Sequence, residues 1–394
     1  VAPATHMTGL VGLGGAPVAT PIWGYGDAKD NVYTWPGRTF EVQSGTPLNV
    51  NWENKLHVPG RDKVPIGDYL ITGKNNSGKS SLLEAIRVLA TGAAPSTLSD
   101  ILEYREELDS AKDAEQGYVA ADIAPVCNLF TGFPSLGTRG RGFTIAATGS
   151  LAAQFSKVDV SIDWFVRKED PNGQRFSYEP VPADALDQSE AFPALVLQIP
   201  GRRRVVPVDR MRRGYPSRVD ADASAVPCVY LDPFSSRSTN DLGPLWDAIA
   251  LTDAEQHIVK ALQVISADIQ AVSVIGSGQG RYRSRTAIAK STRYASRVPL
   301  KTFGDGVNRV FGVFLSLCNA RNGVLLVDEI ENGLHYSIQS DIWRAIFRLA
   351  SDLDAQVFAT THSWDCVHAF QEAASESPQE GALVRLTRQE DRIM

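Results

Sequence analysis

The chain has 394 residues, enough to bury one large core or two smaller ones, and its 43% hydrophobic fraction is ordinary for a globular protein. A formal net charge of −6 argues against uniform coating of nucleic acid, and no apolar run approaches the roughly 20 residues that span a bilayer. Cys127, Cys228, Cys318 and Cys366 are scattered without a C-x-x-C pair, which excludes a disulfide scaffold and suits free thiols in the reducing cytoplasm.

Residues 1–60 come first in chain order and read as short β structure, with a hairpin expected between Thr39–Val42 and Leu48–Trp52. The runs Thr20-Pro-Ile-Trp-Gly-Tyr-Gly26 and Thr34-Trp-Pro-Gly-Arg-Thr-Phe-Glu-Val through Leu56 resemble the opening of a multicopper oxidase's first cupredoxin domain. In that family the paired H-x-H copper ligands follow this point; here only His57 precedes a change of sequence, so no copper chemistry is expected. The segment reads either as a natural hairpin or as a join between two sequences. Val1 is not an initiator methionine, which suits a fragment, and no basic n-region with a long apolar h-region marks a signal peptide.

A short apolar strand, Tyr69-Leu-Ile71, leads into Gly73-Lys-Asn-Asn-Ser-Gly78-Lys79-Ser80-Ser81, and an amphipathic helix to Ala90 leads out. This run satisfies G-x-x-x-x-G-K-[ST] in the strand–loop–helix context that a phosphate-binding loop requires. Gly73 and Gly78 allow the backbone to curl until several N–H groups face one anion, and Asn75 and Asn76 tolerate the left-handed conformations of that curl. The helix N-terminus adds partial positive charge. Lys79 would reach the outer phosphates and Ser80 would coordinate Mg²⁺, with Ser77 and Ser81 completing the nucleotide-binding set.

The interval that follows is far longer than a minimal core needs and lacks sustained heptads, so no long coiled coil is expected. Alternation at Arg141–Ala147, Lys157–Val166 and Ala194–Ile199 predicts strands, with turns at Pro171-Asn-Gly173 and Pro200-Gly201. Helical spacing around Leu245–Ser266 predicts a helical segment, with Thr252-Asp-Ala-Glu255 as a capping box. Arginines crowd 202–218 and recur from Arg281 to Arg297 with Lys301. Such clusters either bind phosphate backbones or ride as solvated faces paired with the acidic run Glu103–Asp109.

Gly323-Val-Leu-Leu-Val-Asp328-Glu329 reads as a strand buried on both faces of a parallel sheet, with two acids at its carboxyl end. Open α/β sheets bind ligands at that edge. Asp328 would hold Mg²⁺, and Glu329 would orient and deprotonate the attacking water. Gln356-Val-Phe-Ala-Thr-Thr-His362-Ser363 is a second such strand, expected beside the first, so that His362 touches the γ-phosphate or the catalytic water. His362, Cys366 and His368 lie close in sequence, but at a strand–helix junction they diverge and no metal site is expected.

The order of phosphate loop, long insertion, Phe303-Gly-Asp-Gly-Val-Asn-Arg309, Asp328-Glu-Ile-Glu-Asn-Gly-Leu-His335 and Thr361-His-Ser363 resembles the ABC-type ATPases of the overcoming-lysogenization-defect and SMC-like class, over residues 64–394. The resemblance implies an α/β P-loop NTPase with a mixed sheet, an inserted β-rich and helical subdomain and a short β N-terminal segment. With the residue readings above, the expected domains are 1–60 (a cupredoxin-like segment without copper ligands), 61–95, 96–300 (the inserted β-rich and helical lobe) and 301–394, the second and last forming the ATPase core. Lys79 and Ser80 match the Walker A residues, Asp328 and Glu329 the Walker B pair, and His362 the switch histidine. Glu331–His335 match the D-loop, which crosses to a second subunit. Gly304, Asp305 and Gly306 occupy the place of the signature that contacts the opposite subunit's γ-phosphate. The class implies ATP with Mg²⁺, hydrolysis, an ATP-switched head-to-tail homodimer, and DNA (in repair or anti-phage defence) or a separate effector protein as target, with no membrane. Phe303 stands where the class has serine, and no glutamine loop is recognisable, which keeps a non-catalytic, nucleotide-dependent interaction module as the alternative.

Overall fold

The computed structural model describes residues 2–11, 17–27, 32–34, 67–105, 125–130, 132, 142–146, 157–169, 176–182, 190–209, 226–233, 239–277, 284–376, 381–389 and 392–393. The expected hairpin at 39–52, the turn at 171–173 and the arginines from 210 to 218 lie outside the described residues.

The first elements are β1 (Ala2–Val11), β2 (Pro17–Asp27), β3 (Val32–Thr34), β4 (Asp68–Gly73), α1 (Lys79–Ala90) and α2 (Pro95–Tyr104). Then come β5 (Gly142–Ile145), β6 (Val158–Glu169), β7 (Phe176–Pro180), β8 (Phe192–Ile199), β9 (Arg202–Pro207) and β10 (Cys228–Leu231). They are followed by α3 (Thr239–Ile249), α4 (Ala254–Ile265), β11 (Ile269–Ser277), β12 (Ser284–Ser291) and β13 (Val298–Pro299). The last are α5 (Asp305–Asn319), β14 (Val324–Val327), α6 (Tyr336–Leu353), β15 (Gln356–Thr361), α7 (Trp364–Glu376) and β16 (Gly381–Leu386). Two compact units result: residues 1–42, 54–83 and 226–394, and residues 43–53 and 84–225. Residues 226–300, grouped with the insertion on sequence grounds, belong to the first unit by their contacts.

The first unit is built on a five-stranded sheet of order β10-β14-β15-β4-β16. Every neighbouring pair in it is parallel; antiparallel pairing is confined to the other sheets. All of Val324–Val327 is buried, as a continuous apolar run in a parallel strand requires. Its core unites Leu70, Leu325, Phe311, Phe314, Trp343 and Phe370. Helices α6 and α7 lock together through Trp343 edge-on to Phe370 at 4.8 Å, and outside through Arg344 to Glu372 and Glu376. The expected helix at 245–266 is two helices, α3 and α4. The capping box does not form: Glu255 Oε1 accepts from the Leu251 N–H at 2.7 Å, Thr252 Oγ1 accepts from the Ala254 N–H at 3.3 Å, and the N-cap, Asp253, makes no side-chain cap bond. Leu251 sits at φ 63°, which turns that N–H back toward the helix.

The second unit is an antiparallel sheet of order β5-β6-β8-β9, with β7 added to β6. Val158, Val160 and Ile162 are buried while Asp159, Ser161 and Asp163 are not, the period-two pattern of a strand covered on one side. Its core also takes Leu98, Ile101 and Leu102 from α2 and Val88 from the later part of α1. β8 and β9 join through Pro200–Gly201, with Ile199 opposite Arg202. Among the described residues no helix is long and apolar enough to cross a membrane.

Candidate nucleotide site at the sheet edge

The sheet order puts the β14, β15 and β4 carboxyl ends side by side, with Val327 opposite Ala359 and Thr361 opposite Thr72. The three sequence motifs leave the sheet at this edge, where parallel α/β sheets bind ligands.

β4 ends in Gly73, where a Cβ would lie 2.5 Å from the Leu386 carbonyl oxygen and 2.6 Å from Ser77 Oγ. No larger residue fits between the β16 backbone and the loop. Asn76 (φ 61°) and Gly78 (φ 82°) provide the left-handed turns; Asn75, expected to share this role, does not. Lys79 is buried and its Nζ donates to the Gly73 and Lys74 carbonyls at 3.0 Å each, folding the side chain back across the loop. Ser77 Oγ is buried without a hydrogen-bond partner, while Asn75, Asn76, Ser80 and Ser81 are exposed. A loop of backbone N–H groups with a polar atom left unsatisfied beside a lysine is a built anion cradle.

At the end of β14, Asp328 is buried and its Oδ1 accepts a hydrogen bond from Thr360 Oγ1 of β15. The same hydroxyl accepts from the Glu329 N–H at 2.9 Å. Glu329 has φ 47°, a left-handed conformation that costs a non-glycine residue about 1 kcal/mol or more. Asn332 Nδ2 donates to Glu329 Oε2 at 2.9 Å, so the carboxylate as well as the backbone is held.

Arg309 of α5, which sequence reasoning assigned no role, is 1% exposed. Its guanidinium donates to the carbonyls of Asp232 at 2.9 Å, Asp328 at 2.8 Å and Glu329 at 3.0 Å. Burial pulls its pKa below the ordinary value, against the opposing field of Asp232, Glu331, Asp328 and Glu329. The one signal available in sequence was a cation inside the apolar run Val307–Cys318 of α5.

His362 follows β15 and is half-exposed. Its backbone N–H donates to Glu331 Oε1 at 3.0 Å, and its Nδ1 lies 3.2 Å from the same oxygen and 3.8 Å from Glu329 Oε1. Thr361 Oγ1 accepts from the Ser363 N–H at 3.0 Å, and Ser363 Oγ accepts from the Cys366 N–H at 3.3 Å at the start of α7. Burial, with the Glu331 charge nearby, pushes the Cys366 thiol up to about 12. Among the described residues no group of His, Cys, Asp and Glu side chains is spaced to hold a metal ion.

Gly304 (φ 104°) precedes α5, with Gly304 and Asp305 exposed. A Cβ on Gly306 would lie 2.9 Å from the Gly333 carbonyl oxygen, so the first turn of α5 abuts the 331–335 loop of the same chain. Phe303 packs edge-on to Tyr294 at 5.7 Å, and Thr302, the remaining hydroxyl of this segment, is exposed. His335 caps α6 through its ring nitrogen.

The basic clusters are partly committed. Arg285 pairs with Asp247 at 2.5 Å and Arg293 with Asp268 at 3.7 Å. On β9, Arg202 and Arg203 are exposed, and the Arg203 guanidinium stands 5.7 Å from the Phe165 ring centroid.

The family described as "AAA domain, putative AbiEii toxin, Type IV TA system" matches residues 157–365. A curated protein of Helicobacter pylori (strain ATCC 700392 / 26695) named "ATP/GTP phosphatase" is 26% identical over 125 residues, which are 31% of this chain and 32% of that protein. The chain thus spans about a third of the length of this curated relative. Similar solved structures include an SMC head bound to the C-winged helix domain of ScpA (10% identity, TM-score 0.38, 83% of this chain and 88% of that one). The SMC head domain from Thermotoga maritima is another (10% identity, TM-score 0.34, with the same coverage). The multicopper oxidase resemblance of residues 20–56 finds no support in these comparisons.

Proposed function

This chain belongs to the AAA-domain family described as a putative AbiEii toxin of type IV toxin–antitoxin systems, and we propose that it binds ATP and hydrolyses it to ADP and phosphate. The observation that carries this reading is the side-by-side exit of the glycine-lysine loop, the Asp328–Glu329 pair and His362 from parallel neighbours β4, β14 and β15.

The residues fit a nucleoside triphosphate. The cradle at Gly73–Gly78 has no room for a side chain at Gly73 and keeps Ser77 Oγ unpaired. Asn75, Asn76, Ser77, Gly78, Ser80 and Ser81 surround the phosphates, and Lys79 exchanges its loop carbonyls for phosphate oxygens. Mg²⁺, held by Ser80 and Asp328, would neutralise charge building on the phosphates. Glu329 takes a proton from water as the water oxygen attacks the γ-phosphorus, and the bond to the β–γ bridging oxygen breaks to leave ADP. The Glu329 N–H donates to Thr360 Oγ1 and the Glu329 carbonyl accepts from Arg309, which holds the strained backbone, while Asn332 Nδ2 donates to the carboxylate itself. His362 then touches the γ-phosphate or the attacking water.

The exposed Gly304 and Asp305, with Gly306 behind them, suit contact with a nucleotide held by a second copy, which would make the active form an ATP-switched head-to-tail homodimer. DNA or a separate effector protein would be its target. The name of the Helicobacter relative leaves GTP as an alternative substrate. Phe303, in the place of a signature hydroxyl, favours one second reading, a nucleotide-dependent interaction module without turnover. Phosphate release from ATP and GTP, measured with and without duplex and single-stranded DNA, tests both. Nucleotide binding without any release would select the module.

A further inference from the structure

We infer that Thr360 is a positioning residue for both acids of the site, its hydroxyl setting the Asp328 carboxylate and the Glu329 main chain at once; the inference rests on the ATPase reading. Thr360 is fully buried in β15, between the parallel neighbours β14 and β4. Its Oγ1 donates to Asp328 Oδ1 and accepts from the Glu329 N–H at 2.9 Å. A hydroxyl has one proton, so with that proton on Asp328 the bond from Glu329 falls on an oxygen lone pair. Both capacities are used, and they are used on the two residues assigned to the cation and to the attacking water.

The strand itself does not call for this hydroxyl. β15 is apolar and buried at Val357 and Ala359, and a valine at 360 would keep the branched shape without burying an oxygen. The neighbouring ladder shows what the oxygen does. The Asp328 N–H still bonds the Leu231 carbonyl of β10 at 2.9 Å, and the chain turns out of the sheet at the next residue, Glu329, with φ 47°. There Thr360 receives two successive N–H groups, that of Glu329 on its hydroxyl and that of Ile330 on its carbonyl at 3.1 Å. The carbonyl contact survives a change of side chain, whereas the contacts to Asp328 and to the Glu329 N–H need the hydroxyl. Removing it leaves a buried carboxylate oxygen and the N–H of a strained residue without their partner. The acid meant for the cation is then free to turn about its side-chain torsions, and the base loses one of the bonds that hold its backbone.

The test compares Thr360→Val, Thr360→Ser, Asp328→Ala and the double variant Asp328→Ala/Thr360→Val in the full chain. Mn²⁺ titrated with a non-hydrolysable ATP analogue, and followed by electron paramagnetic resonance, reads cation affinity without turnover. Thr360→Val should weaken that affinity roughly 10–100-fold, the loss typical of outer-shell partners of a ligating carboxylate. At saturating Mg²⁺ its kcat should also fall, with KM for ATP within about threefold. Thr360→Ser keeps the hydroxyl and should recover most of both. In the Asp328→Ala background the Thr360 change should alter the residual Mn²⁺ affinity less than about twofold, because its target is gone. A residue that merely filled β15 would lower the folded fraction, and so the amplitude of each titration, and leave the midpoint in place. Unshifted Mn²⁺ affinity in folded Thr360→Val, a serine variant no better than the valine one, or equal losses in both backgrounds overturns the inference. So does an unmodified protein that holds no Mn²⁺ with the analogue. Should Thr360→Val not fold, Thr360→Cys, whose thiol is a weak donor and acceptor, takes its place under the same criteria. Were the unmodified protein to release no phosphate from ATP, the ATPase reading would fail while the Mn²⁺ titrations still decided the role of Thr360.

Discussion

The carboxyl edge of the parallel sheet and the surface of the antiparallel sheet hold polar side chains in opposite ways. At the carboxyl edge of the parallel sheet Asp328, Thr360 and Arg309 are at most 4% exposed, and each has its partner on a different element. On the antiparallel sheet the pair Lys168–Glu179, at 2.5 Å, keeps its side chains 59% and 51% exposed. Exposed pairs contribute about 0.2–1 kcal/mol, whereas removing one partner of a buried charged network costs about 3–5 kcal/mol. Polar groups at that edge therefore fix geometry, and the exposed pair keeps a sheet surface wet.

Changes at the proposed reacting groups should break this contrast most severely. Glu329→Gln keeps shape but removes the base, so kcat for ATP should fall by about 10²–10⁴-fold while nucleotide still binds. Lys79→Ala should lose binding itself, because the ammonium that would grip phosphate is gone. Phosphate release and equilibrium binding of a fluorescent ATP analogue separate these outcomes. Turnover by Glu329→Gln at the unmodified rate would remove Glu329 as base. The same variant sharpens the dimer question. With ATP and Mg²⁺ its mass by light scattering should double, and a mass unchanged by nucleotide would end the switching proposal.

Stability should follow burial. Arg309→Met leaves three main-chain carbonyls without their donor and should cost about 3 kcal/mol or more. Lys168→Ala should cost less than about 0.5 kcal/mol. Urea midpoints of the two variants measure the gap, and equal midpoints would contradict the contrast between the buried edge and the exposed pair.

What the sequence made legible were features with a continuous local signal. Val324–Val327 and Gln356–Thr361 are apolar runs ending in polar residues, and the glycine-lysine loop has fixed spacing, so strand, edge and loop were all foreseen. The roles of Arg309 and Thr360 were not. Arg309 bonds only to main-chain carbonyls, which every residue type possesses, and Thr360 meets Asp328 across 32 positions because β14 and β15 happen to be neighbours. The expected capping box did not form, and Glu255 instead bonds the N–H of Leu251, whose left-handed conformation no local propensity predicts. Asn75 and Asn76 looked equivalent, yet one left-handed residue before Gly78 suffices for the turn.

The smallest expected effect concerns the arginines that open β9, which the sequence alone left between two readings. Arg202 and Arg203 lie on the exposed part of the strand, and Arg204 is partly buried. If they neutralise DNA phosphates, binding must weaken steeply with salt, since each neutralised phosphate releases condensed counterion. Replacing all three with Ala should then lower the slope of log K against log salt by up to about three, with basal ATPase unchanged. If they solvate the sheet instead, DNA binding stays weak at every ionic strength and the urea midpoint shifts slightly. The cation–π distance of 5.7 Å between Arg203 and Phe165 gives that second reading a physical basis, as an exposed contact of this kind is worth about 0.5–1 kcal/mol. A salt titration of the unmodified protein and the triple variant decides between them, and identical slopes would assign these arginines to the sheet's own surface.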